Sequence, residues 1–99
     1  MLKIEKKAEG GETVISLEGE LDTLSSQTLE EQLDSLIADA DKVTVDLEKL
    51  DYITSAGLRI LLQMENIMEE KGSMRIVHVR EDIMEIFEVT GFTEVLHIE

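Results

Sequence analysis

The stretch Leu50 to Leu62, "LDYITSAGLRILL", sets two adjacent hydroxyls, Thr54 and Ser55, just ahead of an amphipathic run. A serine at such a place could do two kinds of work. Its oxygen could accept a hydrogen bond from a first-turn amide as an ordinary N-cap, worth about 1 kcal/mol relative to alanine. Its hydroxyl could also be exposed at the helix start, where the dipole favours an anion and a phosphate would be tolerated. A phosphate there would add about −1.5 to −2 charges to the surface. The spacing leaves both readings open.

Other reactive residues are sparse or scattered. Asp46 and Asp22 each end a strand-like run at what should be one sheet edge, so they could hold magnesium and accept phosphate in the manner of a receiver domain. No acidic pair ends the first strand, however, and no lysine sits at the matching late position, so the plainer expectation is that these acids bind loop amides and helix N-termini. His78 and His97 share no ligand spacing, and a metal site needs three or four convergent groups. There is no GxGxxG, GxxxxGK[ST] or GxSxG, which removes the phosphate-binding and nucleophile-elbow geometries. With no cysteine, disulfides and thiolate chemistry are excluded. No catalysis, metal or cofactor is expected of the chain itself.

Composition narrows the partners. Acidic residues outnumber basic ones 23 to 9, a formal charge of −14, which nucleic acids and anionic membranes would repel. No apolar run follows the basic first residues, and no later stretch approaches the ~20 apolar residues of a spanning helix, so a cytoplasmic protein is expected. At 99 residues, 42% of them apolar, residues 1–99 should form a single domain with one modest core.

The elements that must position these groups follow from periodicity. Leu2 to Lys6 and Thr13 to Leu17 read as strands of a hairpin around Gly10 and Gly11. Leu29, Leu33, Leu36, Ile37 and Ala40 recur at helical spacing, with Ser25 or Ser26 as N-cap. "KVTVDL" places Val43, Val45 and Leu47 on one strand face and Thr44 and Asp46 on the other. After the loop "EKLDYI", a helix carries Gly57, Ile60, Leu61, Met64, Ile67 and Met68 inward, with Leu58 and Leu62 widening the stripe and Arg59, Gln63, Asn66 and Glu70 wet. Lys71 suits its negative end, and Gly72 a left-handed C-cap. "SMRIVHV" reads as a strand, "EDIMEIFEV" as a helix stopped near Gly91, and "EVLHIE" as a last strand. The expected fold is α/β in the order β-β-α-β-α-β-α-β, a mixed sheet with an antiparallel hairpin and then parallel crossovers packed with helices.

From end to end the chain resembles the STAS domain, and within it the bacterial anti-sigma factor antagonists. The residues that carry the resemblance are "LEGELD" at Leu17 to Asp22, "VTVDLEKLDYITSAGLRILL" at Val43 to Leu62 and "IFEVTGF" at Ile86 to Phe92. The resemblance implies a binding protein and a switch. Unphosphorylated, such a protein binds an anti-sigma factor that is also a serine kinase and frees the sigma factor. The kinase, with ATP and magnesium of its own, phosphorylates the serine that corresponds to Ser55, and a metal-dependent serine phosphatase resets it.

Partner contacts are implied around Thr54, Ser55, Ala56 and Arg59, with Asp22, Thr23 and Ser25 on the adjacent loop; alone, the protein is expected to be a monomer. Many family members carry an acid before the phosphorylated serine and Ser or Thr after it, where this chain has Thr54 and Ala56. STAS domains also serve in stress-signalling and lipid-transport assemblies unrelated to sigma factors, which leaves a subunit role of that kind as the alternative, with a receiver-like phosphoacceptor behind it.

Overall fold

The structure is a computed structural model and describes residues 1–99. Strand β1 (Leu2–Glu9) pairs antiparallel with β2 (Glu12–Leu21) along its whole length, from Leu2 opposite Gly19 to Glu9 opposite Glu12. The hairpin turns on Gly10 and Gly11, both at positive φ, the geometry that matches the twist of a two-residue hairpin. Helix α1 (Thr23–Ile37) leads to β3 (Lys42–Asp46), which lies parallel to β2, with Thr13 beside Val43 and Ile15 beside Val45.

Two differences from the expected order follow. The segment expected as a loop contains a strand, β4 (Leu50–Ile53), parallel to the far end of β2 at Gly19 to Leu21. Helix α2 (Ser55–Lys71) then crosses to β5 (Ser73–Val77), which lies parallel to β3. Helix α3 (Glu81–Thr90) ends at Gly91 in the left-handed conformation, and a short 3-10 helix follows at Phe92–Glu94. The expected last strand reduces to a single parallel bridge between Ile98 and Ile76. The sheet therefore runs β1-β2-β3-β5, with β4 continuing β3's side of β2.

Alternation makes the core. Ile15, Leu17, Val43, Val45, Met74 and Ile76 are buried on one sheet face and share a cluster with Leu29 and Leu33 of α1 and Leu58, Leu61, Met64 and Met68 of α2. Ile83 and Phe87 of α3 and Leu96 join the same cluster. At about 1.5–3 kcal/mol for each large side chain fully buried, this apolar face is the dominant stabilising term. The opposite sheet face is polar and laced with ion pairs, Arg75 reaching both Glu12 and Glu99.

The end of α2 departs from the expectation at Gly72. Lys71 lies in the last turn of α2 as expected, and its Nζ also donates to the carbonyls of Ile37 and Ala38, capping the open end of α1. Gly72 is not left-handed; its φ is 170°. A Cβ there would lie 1.9 Å from the Asp41 carbonyl oxygen, so close approach of two backbones requires glycine.

Candidate functional site

Two helices start side by side at one edge of the sheet. The Thr54 amide donates to the Leu21 carbonyl at 3.0 Å, so the chain entering α2 is bonded to the residue immediately before the cap of α1. Gly57 sets how closely α2 sits, since a Cβ there would fall 2.7 Å from both Ile53 Cγ1 and the Leu21 oxygen. With Gly57 buried against β2 and β4, Thr54 is held extended (φ −107°, ψ 178°) and its carbonyl accepts the Leu58 amide at 3.0 Å.

This geometry corrects the cap reading of Ser55. The N-cap is Thr54, and Ser55 is the first helical residue, with its side chain exposed. Thr54 does not use its hydroxyl in that role, because Oγ1 is buried with no hydrogen-bond partner. No acid lies in the first turn either, so the positive end of α2 has neither a side-chain cap nor a counter-charge from its own first turn. What the arrangement offers chemically is an accessible hydroxyl on a helix end that favours an anion.

The neighbouring helix is capped fully, also by a residue other than the one expected. Asp22, and neither Ser25 nor Ser26, is the N-cap of α1: Oδ1 accepts the Ser25 amide at 3.0 Å, and Ser25 Oγ accepts the Asp22 amide at 2.8 Å. The Ser25 hydroxyl has acceptors in the Glu20 carbonyl at 2.8 Å and Asp22 Oδ1 at 2.9 Å. The Ser25 amide, and then its hydroxyl, hold the Asp22 carboxyl below the usual carboxylate range. Ser25 satisfies the box through its position three residues on, as the signature requires.

Between the two helices runs a shallow groove of about 240 Å³ lined by Thr23, Ser26 and Glu30 from α1 and by Ala56, Arg59 and Gln63 from α2. Of the residues expected at a partner surface, Thr23, Ala56 and Arg59 thus meet in the groove, Asp22 and Ser25 pair beside it, and Thr54 and Ser55 stand at its head. Ser26 is 5% exposed, and its Oγ has no partner. Two exposed apolar side chains flank the site and were missed in the sequence: Leu24, 75% exposed in the first turn of α1, and Tyr52, 53% exposed on β4. Leu24 could have been found as the leucine that falls outside the α1 stripe. Leu58 and Leu61 are buried as expected, while Leu62 is half-buried.

The other candidates are occupied locally. Asp46 accepts the Glu48 amide at 2.9 Å and lies 3.2 Å from His78 Nδ1, as an acid serving a loop should. His78 follows β5 at a left-handed φ of 57°. His97 Nδ1 meets Glu65 on α2 at 2.6 Å. No group of three or more His, Asp or Glu side chains converges as a metal site. No helix is long and apolar enough to cross a membrane.

Comparison with known proteins agrees with this architecture. The chain belongs to the STAS domain family, matching the family described as "Mlab, STAS domain" over residues 4–97. An anti-sigma-B factor antagonist of Staphylococcus aureus is 28% identical over 86 residues, which span 85% of this chain and 80% of the relative. An anti-sigma factor antagonist from Mycobacterium paratuberculosis superposes with a TM-score of 0.89 at 20% identity, over 99% of this chain and 85% of that one. SpoIIAA, an anti-sigma factor antagonist, matches in its unphosphorylated form with a TM-score of 0.82 at 17% identity, over 98% of this chain and 88% of that one. The phosphorylated form of the Bacillus protein matches at 0.74 and 18%, over 100% and 91%. At these identities the structures share the mixed-sheet STAS fold.

Proposed function

We propose that the chain is a single-domain anti-sigma factor antagonist whose unphosphorylated form binds an anti-sigma factor serine kinase, and that phosphate on Ser55 switches the binding off. The exposed Ser55 hydroxyl at the uncapped start of α2 carries the reading. Thr54 is the poorer acceptor, its oxygen buried beneath the helix start. Relatives named anti-sigma factor antagonists, and a structural neighbour known in phosphorylated and unphosphorylated forms, support the role.

In the reaction, Ser55 Oγ attacks the γ-phosphorus of the kinase's ATP. The bond from that phosphorus to the β–γ bridging oxygen breaks, ADP leaves, and the hydroxyl proton passes to a base on the kinase. A serine phosphatase reverses the modification by hydrolysis, releasing inorganic phosphate. The chain supplies only the acceptor and the docking surface, formed by Asp22, Thr23, Ser25, Thr54, Ala56 and Arg59.

Because Ser55 is exposed, the phosphate leaves the fold intact and acts at the interface, where burying a dianion against a partner is costly. A hundredfold loss of affinity needs only about 2.7 kcal/mol. Incubation with the kinase and ATP followed by mass spectrometry should place phosphate on Ser55. A Ser55→Asp variant should keep its melting temperature and lose about a hundredfold in kinase affinity, whereas Ser55→Ala should bind as the parent does. Phosphate on Thr54 alone, or equal binding by Ser55→Asp, overturns the switch; a pulldown that recovers other assemblies and no kinase overturns the sigma-related role.

A further inference from the structure

Arg59 stands apart from the other two arginines. Arg75 is engaged by Glu12, Glu99 and Thr44, and Arg80 by Asp51, while Arg59 makes no hydrogen bond or ion pair. In a chain with 23 acidic residues, an arginine left without a carboxylate is an exception. Glu30 lines the same groove, yet no ion pair joins the two. Arg59 is also four residues after Ser55 on α2, so the two share one helix face, and helical side chains lean toward the N-terminus.

A second observation marks the same place. Ser26 is 95% buried, as its 5% exposure requires, its Oγ is unpartnered, and it lines the groove beside Ala56 and Arg59. The groove therefore sets a free guanidinium next to a helix start that lacks a side-chain cap, with the unpartnered Ser26 oxygen buried at its lining.

We propose that Arg59 is the intramolecular partner of a phosphate on Ser55, binding it through paired N–H donors while the first-turn amides of α2 face it from below. The inference rests on the reading that Ser55 is the modified residue. It gives the modification a second action. The unmodified protein presents Arg59 to an acidic group on a partner, and the phosphorylated protein withdraws it, so one event adds an anion and removes a cation from the same surface.

The test uses full-length protein carrying phosphoserine introduced at position 55 by genetic encoding, alone and with Arg59→Gln or Arg59→Lys. A nearby cation favours the dianion, so the phosphorus-31 NMR titration midpoint should be lower in the parent than in Arg59→Gln by at least about 0.3 pH unit, with Arg59→Lys between them. In the parent, the side-chain N–H resonances of Arg59 should shift on comparing the serine and phosphoserine forms. Equal midpoints in parent and Arg59→Gln, with both proteins folded by circular dichroism, overturn the pairing. Because the phosphoserine is encoded, that result leaves Ser55 phosphorylation standing, and a kinase that ignores Ser55 would refute the modification by a separate measurement.

Discussion

The carboxylate of Glu65, 2% exposed on α2, meets Nδ1 of His97 at 2.6 Å and so ties the chain's end to the helix that presents Ser55. The same terminal segment is bonded to β5, the Ile76 amide donating to the His97 carbonyl and the Glu99 amide to the Ile76 carbonyl. Removing one partner strands a buried acid, whereas removing both does not. His97→Ala should therefore destabilise by about 1–3 kcal/mol. The double variant Glu65→Leu/His97→Ala should recover part of that loss in urea denaturation. If the double variant were the less stable of the two, the pair's role in stability would be wrong.

Thr54 offers the opposite case, a buried hydroxyl with nothing to bond. Thr54→Val keeps the shape and removes the idle oxygen. The variant should be as stable as the parent or more so, by up to about 1 kcal/mol, because no hydrogen bond is lost and a desolvated polar group is. Loss of stability in thermal melts would show that Oγ1 has a partner in solution.

Asp22 predicts how acid acts on α1. Its folded carboxyl lies below the ordinary value of 3.8 because the Ser25 amide and hydroxyl bond the charged form. A lowered folded pKa contributes stability that is present above the unfolded value and lost as pH falls through the folded one. The melting temperature of the parent should exceed that of Asp22→Ala at neutral pH, and the gap should narrow only below about pH 4, where the unfolded carboxylate protonates. A gap independent of pH from 7 down to 2 would mean that the charge of Asp22 does not contribute.

Much of this was legible in the sequence because burial imposes periods. The α2 stripe, the glycine hairpin and the alternation in "KVTVDL" each leave a repeating mark. β4 does not: its buried residues, Leu50 and Ile53, lie three apart with Asp51 and Tyr52 exposed between them, so neither strand nor helix periodicity is visible. "EVLHIE" failed in the other direction. It alternates as a strand should, yet of its residues only Leu96 is buried, and pairing is confined to Ile98.

At the site, the residue types were legible and their division of labour was not. Two hydroxyls in tandem satisfy the same capping preference. Which of them caps depends on where Gly57 meets Ile53 and, above all, Leu21 on a strand distant in sequence. The same holds for Gly72, whose requirement arises from Asp41, some thirty residues earlier.

Gly57 separates two properties of the proposed switch that would otherwise be entangled. By fixing how α2 sits on the sheet, it sets the height and angle at which Ser55 is offered to any enzyme, whatever residues stand on either side. Substitutions at Thr54 and Ala56 would then change the chemistry beside the serine without moving it. The glycine acts as the mounting and its neighbours as the label, so the residues beside Ser55 can change in chemistry while its mechanical presentation stays the same.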